Sequence, residues 1–181
     1  MAANDPHPRS HPPQGGGEWL TASAVDERLA EEISRAERHG TQLSCLLVVI
    51  ENLEEMAREH GSELREQTLG YVAGALGREL RRFDRIGRPS DRELMIVLPG
   101  ADGPRGEMVA RRVLDRLRTI KVEARGARRP LQVSVGLAAW HDGVSGEELL
   151  TRARAASRGG SSIEEPLPGI HSPPPLGRHP V

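Results

Sequence analysis

The sequence predicts an α/β sandwich of the α+β kind, a βααββαβ order flanked by helices, with a mainly antiparallel central sheet covered by helices. Three observations carry this expectation. Apolar residues recur at spacings of three and four in some stretches and crowd into short continuous runs in others, so helices and buried strands alternate. Two predicted strands, 83–87 and 93–98, are separated only by Arg88-Pro-Ser-Asp-Arg92, turn chemistry that suits a hairpin. Finally, the 181 residues are of single-domain size, and the periodic segments are confined to residues 18–158.

The elements follow in order. Residues 24–39 place Val25, Leu29, Ile33 and Ala36 on one face of an amphipathic helix that stops at Gly40. Leu43 to Ile50 is short, continuously apolar and β-branched toward its end, which predicts a buried strand. Two helices, 52–60 and 62–80, break around Gly61; the second turns Leu64, Thr68, Tyr71, Val72, Leu76 and Leu80 inward. After the hairpin, Gly106 to Thr119 is a helix with Met108, Val109, Val113, Leu114 and Leu117 facing in. Leu131 to Trp140 is a strand, and Gly146 to Ser157 the last helix. Residues 1–17 and 159–181 are rich in Pro, Gly and Ser without apolar periodicity, and are expected to be disordered tails. Pro173-Pro-Pro175 is a solvated run within the second tail.

Composition excludes several function classes. A net charge of −1 supplies no overall basic field to draw nucleic acid or an anionic membrane. No apolar run approaches the ~18–20 residues of a membrane span, and no leader pattern opens the chain, so a soluble cytoplasmic protein is expected. The single cysteine, Cys45, sits inside an apolar strand and is a small buried hydrophobe. The seven histidines are scattered without metal-ligand spacing, and His141-Asp142 has no second pair to complete a metal centre. Glu54, Glu55, Glu59 and Glu63, interleaved with Arg58 and Arg65, form solvated helical faces with local ion pairs.

The stretch Asp84-Arg-Ile-Gly-Arg-Pro-Ser-Asp-Arg-Glu-Leu-Met-Ile-Val-Leu-Pro-Gly-Ala101 resembles the core of a GGDEF domain, the fold of the diguanylate cyclases. Ala36-Glu-Arg-His-Gly-Thr-Gln-Leu-Ser-Cys-Leu-Leu-Val-Val-Ile50 is similar to that family's first long helix, turn and first strand. Val133-Ser-Val-Gly-Leu-Ala-Ala-Trp140 is similar to its last main strand. The three pieces stand in the family's order and near its spacing over roughly residues 20–158.

The same resemblance implies a degenerate active site. Counting back from Leu98-Pro99, Ser90-Asp91-Arg92-Glu93-Leu94 stands where the family has Gly-Gly-Asp/Glu-Glu-Phe, so only Glu93 keeps its identity. Glycines there let the backbone approach phosphates and adopt positive φ, whereas Ser90 and Asp91 add bulk and Asp91 a negative charge. Family members hold two Mg²⁺ ions with an Asp at the end of the first strand and the acidic residue matching Glu93. The strand position is Val49, which has no oxygen to offer a hard cation, so no metal and no Mg²⁺ cofactor is expected. Glu51 matches the second Asp of the family's Asp-Ile-Asp run; reaching a cation would take a register slip that turns the strand's apolar face outward. The family's guanine-binding Asn and Asp match Ala57 and Glu66. The N-terminal family run is reduced to Leu20-Thr21, and the C-terminal helix motif to Arg154-Ala-Ala-Ser157, without its phosphate-neutralising lysine.

One family site is kept in form. Arg81 and Asp84 lie nine and six positions before Ser90, as in the Arg-x-x-Asp inhibitory motif, and Arg112 matches a third family arginine on the next helix. A guanidinium fork suits a phosphate or the Hoogsteen edge of guanine, and a carboxylate accepts from guanine N–H groups. The resemblance therefore implies a non-catalytic regulatory domain in cyclic di-GMP signalling, with cyclic di-GMP bound at Arg81, Asp84 and Arg112. Protein contact alone, through a regulatory partner or a homodimer, is the alternative. A residually active cyclase using Glu93 and Glu51 is the rival from the enzyme class.

Overall fold

The computed structural model describes residues 20–124 and 126–159. Its elements are α1 (Ala22–His39), β1 (Leu43–Ile50), α2 (Leu53–His60), α3 (Ser62–Gly77), β2 (Arg85–Ser90), β3 (Glu93–Pro99), α4 (Gly103–Arg118), β4 (Lys121–Ala124), β5 (Ala127–Pro130), β6 (Val133–Ala139) and α5 (Gly146–Arg158). Both predicted tails lie outside the described residues, apart from Gly159.

The main sheet has the order β2-β3-β1-β6, and every neighbouring pair is antiparallel. β1 is central and all eight of its residues are buried, as a strand covered on both faces must be. Its period-two alternation sorts the core into two layers. Leu46, Val48 and Ile50 join Leu53, Met56, Leu69, Val72, Leu76, Val113 and Leu117 of α2, α3 and α4. Cys45, Leu47 and Val49 join Val25, Leu29, Ile33 and Ala36 of α1 and Leu149, Leu150 and Ala153 of α5. The predicted sandwich is the observed one.

Helix ends follow from local chemistry. Thr21, Asp102 and Ser145 cap α1, α4 and α5 by accepting hydrogen bonds from the amides of Ala24, Arg105 and Glu148. α5 lies unusually close to β6, because a Cβ at Gly136 would sit 1.9 Å from the Ala153 carbonyl oxygen. β2 is an edge strand, which accommodates Pro89 beside a register irregularity between Gly87 and Ser90.

Several expectations differ from the structure, among them the starts of α4, at Gly103 rather than Gly106, and of β6, at Val133 rather than Leu131. α3 ends at Gly77 rather than residue 80, and β2 begins at Arg85 rather than Phe83. Its backbone turns at Leu76, whose carbonyl accepts from the Glu79 amide. Tyr71 is 59% exposed: it flanks the buried arc of α3, about 40° from Ala75 and 60° from Thr68 but 100–160° from the large buried side chains Leu69, Val72 and Leu76. Met108 is 69% exposed for the same reason: α4 buries Gly106, Ala110, Val113 and Leu117, and Met108 is on roughly the opposite side. Residues 121–130, unassigned by periodicity, form the two-stranded β4–β5 hairpin, whose polar sequence leaves Val122 to pack on the core. No helix among the described residues is long and apolar enough to cross a membrane.

Candidate functional site

The hairpin joining β2 to β3 is tighter than the sequence suggests. Ser90 pairs with Glu93, so Asp91 and Arg92 form the turn. Glu93 opens β3 and is the cross-strand partner of Val49 on β1, whose other partner is Ser134 on β6. Ser134, Val49 and Glu93 therefore form one row across the sheet. Leu94, the next residue, points to the opposite layer and is fully buried there.

Glu93 is only 8% exposed, and its carboxylate is held from α5 by Arg154. The guanidinium donates from Nε to Oε1 at 3.1 Å and from a terminal nitrogen to Oε2 at 2.8 Å. Burial alone pushes the Glu93 carboxyl up; hydrogen bonds from Arg154 and Ser90, with the charges of Arg154 and Arg92, outweigh it and hold the group below the usual carboxylate range. Arg154 is reciprocally held protonated by its hydrogen bonds to Glu93. At the other end of the row, Glu51 is exposed and its Oε1 accepts from the Ser134 hydroxyl at 2.6 Å. The Glu51 amide bonds the Gln132 carbonyl, which keeps β1 in its unslipped register.

This donor set does not suit a divalent cation. Between two carboxylates already engaged by Ser134 and Arg154 stands Val49, 6% exposed and packed in the α1–α5 layer, with no ligand atom. Among the described residues no group of three or more His, Cys, Asp and Glu side chains converges.

Charged side chains bridge the hairpin and α3. Arg88 on β2 makes a bidentate pair with Glu66 at 2.7 and 2.9 Å and a third bond to Asp91 at 3.1 Å. Arg65 adds Glu54 at 2.9 Å and reaches Asp91 at 4.0 Å. The two positions matched above to guanine recognition are thus committed: Glu66 to Arg88, and Ala57 to the interior of α2, where it is buried.

A second centre forms where α3 runs into β2. The Asp84 carboxylate accepts from the Arg81 amide at 2.7 Å, and the Asp84 amide returns a bond to the Arg81 carbonyl at 3.1 Å. Burial raises the Asp84 carboxyl pKa; the Arg81 amide and the charges of Arg81, Arg112 and Arg85 oppose the rise. Arg112 of α4 is braced by a 2.8 Å bond to the Glu79 carbonyl. Arg81 and Asp84 are thus joined directly, while Arg112, held on Glu79, bears on Asp84 through its charge. Arg85, which bonds the carbonyls of Arg82 and Asp84, was missed although it adjoins Asp84 in sequence. In the sequence Arg154 stands only as the remnant of a helix motif; nothing local marks it as the partner of a residue in the hairpin.

The family model for the diguanylate cyclase GGDEF domain matches residues 22–159. Diguanylate cyclase DgcP of Pseudomonas aeruginosa is 25% identical over 134 residues, covering 74% of this chain and 20% of that protein. The membrane protein YdaK of Bacillus subtilis, itself uncharacterized, is 30% identical over 95 residues, covering 52% of this chain and 34% of that one. The chain thus spans a fifth to a third of the curated relatives it matches. Among solved structures, diguanylate cyclase SiaD of Pseudomonas aeruginosa, seen with its activator SiaC, superposes with a TM-score of 0.72 at 27% identity over 77% of this chain and 54% of that one. The GGDEF domain of DgcB from Caulobacter crescentus, in complex with c-di-GMP, gives 0.73 at 21% identity over 83% and 90%. With the sandwich, the hairpin and the last strand all in the family's places and its model spanning every described element, the chain belongs to the GGDEF domain family.

Proposed function

We propose that this GGDEF domain is a non-catalytic regulatory module of cyclic di-GMP signalling that binds cyclic di-GMP at Arg81, Asp84 and Arg112. The observation that carries the first half is the Glu93–Arg154 pair beside Val49. A guanidinium occupies the one signature carboxylate, and a valine faces it where a second oxygen ligand would be needed. The second half rests on the Arg81 amide bond to the Asp84 carboxylate and on the charges of Arg81, Arg112 and Arg85 that bear on it, with the Arg81 side chain exposed and outside the ion pairs of the described residues. That leaves a planar donor fork ready for a phosphate or a guanine edge.

In this reading the domain works in the cytoplasm and passes its state to a regulatory protein or to a second copy of itself. Protein contact without nucleotide is the second reading; it is favoured by Phe83, which is 70% exposed beside Asp84. Calorimetric titration with cyclic di-GMP, and separately with GTP and Mg²⁺, decides between them. Saturable cyclic di-GMP binding that is lost in Arg81→Ala is expected. No heat from cyclic di-GMP leaves the protein-contact reading, and Mg²⁺-dependent turnover of GTP overturns the non-catalytic assignment.

A further inference from the structure

A cavity of about 470 Å³ opens between α3, the end of α4 and the β4–β5 hairpin, lined by Tyr71, Arg116, Thr119, Lys121, Glu123 and Arg128 among others. Its size falls in the range of small-molecule sites. Three cations meet one carboxylate there, although the chain as a whole is slightly acidic. None of the three takes part in the ion pairs of the described residues, which engage Arg65, Arg88, Arg112, Arg129 and Arg154 among others.

Two further features single out this cavity. The Arg116 guanidinium, which lines the cavity, makes no ion pair among the described residues and its buried Nε–H has no hydrogen-bond acceptor, so no group of the protein commits this cation elsewhere. At the end of α4, two carbonyls that would repel an anion in the cavity are already engaged: the Arg116 carbonyl accepts from the Thr119 amide and hydroxyl, and the Leu117 carbonyl from the Ile120 amide. In the hairpin, Arg128 stands directly across from Glu123, and Lys121, two residues along the same strand, shares the face of Glu123. Tyr71 adds an exposed aromatic ring that the core does not use.

We propose that this cavity is a second ligand site, taking a phosphorylated anion of nucleotide size, its phosphates held by Arg116, Lys121 and Arg128 and its planar ring stacked on Tyr71. Charge-assisted bonds from separate cations suit a compact multivalent anion, and a flat aromatic face accepts a base without demanding a particular one. The site shares no lining residue with the Arg81–Asp84–Arg112 centre and does not depend on it.

The test is a ¹H–¹⁵N NMR titration of the whole chain with inorganic pyrophosphate and with ADP, without divalent metal, in wild type and variants. Saturable shifts at Tyr71, Thr119, Lys121 and Arg128 are expected. The double variant Arg116→Gln, Lys121→Gln weakens both probes by about tenfold or more, Tyr71→Ala weakens ADP by about tenfold but spares pyrophosphate, and Arg81→Ala changes neither. All substituted side chains are exposed or half-buried, and the dispersion of the same spectra reports the fold. The proposal is overturned by an absence of saturable shifts, by equal affinity in the double variant, or by loss in Arg81→Ala. Equal losses of both probes in Tyr71→Ala overturn the placement of the ring.

Discussion

Replacing Arg154 with alanine leaves the Glu93 carboxylate buried without its cation. Breaking a buried pair from one side costs about 3–5 kcal/mol, but Arg154 is 34% exposed and water can follow its truncation, so about 2 kcal/mol is expected. With a urea m-value of about 2 kcal/mol/M for a domain of this size, the unfolding midpoint falls by about 1 M. The pH dependence carries the sharper signature. In the wild type, Glu93 titrates below its unfolded value, so its stabilisation is complete above about pH 4.3 and is lost as the pH falls through the lowered folded pKa. In Arg154→Ala, burial is opposed only by Ser90 and Arg92, and the carboxyl moves up. The deficit is then largest near neutrality and shrinks as acid protonates Glu93. Urea titrations at about pH 7.5 and about pH 5 measure both effects, and adding Glu93→Gln restores more than half of the loss at the higher pH. Equal midpoints for variant and wild type near neutrality, or a deficit of the same size at both pH values, would refute the pairing as the cause.

Other perturbations address the remaining contacts. Val49→Asp places a carboxylate in the α1–α5 layer opposite Glu93; it is expected to lower stability by about 2–4 kcal/mol in urea titration and to produce no turnover of GTP with Mg²⁺. Detectable turnover would show that the hairpin is still fit for catalysis. Gly136→Ala drives a methyl into the Ala153 carbonyl and, at 2.5 Å, the Ser157 amide, so α5 must retreat. A loss of about 3 kcal/mol follows, seen as a Tm lower by about 10 °C, whereas a shift under about 2 °C contradicts the close approach. Cys45 is fully buried and burial pushes its thiol far above the ordinary range, so a thiol reagent should label it only at the rate of unfolding. Rapid labelling in native buffer would contradict that burial.

Sequence alone determined the layers, because they depend on periodicities that are local. Strand β1 is legible as a fully buried run, α1 by its spacing of three and four, and the hairpin by its turn residues. Val49 likewise needs no coordinates: a hydrocarbon side chain cannot ligate magnesium in any register. Tyr71 and Met108 are not legible in this way, because apolar character at a position says nothing about which arc of the helix its neighbours bury. The β4–β5 hairpin escaped notice because Val122 is the apolar residue it packs on the core. The tertiary structure decided the state of each charged group. Glu93 finds Arg154 from 61 residues away, and Glu66 finds Arg88 from 22. In a chain so rich in arginine, composition offers every carboxylate many partners. Only the close packing of α5 on β6, and the reach of the Arg88 side chain from β2 to α3, selects which guanidinium comes within hydrogen-bond distance, and with it which carboxylates remain free for chemistry.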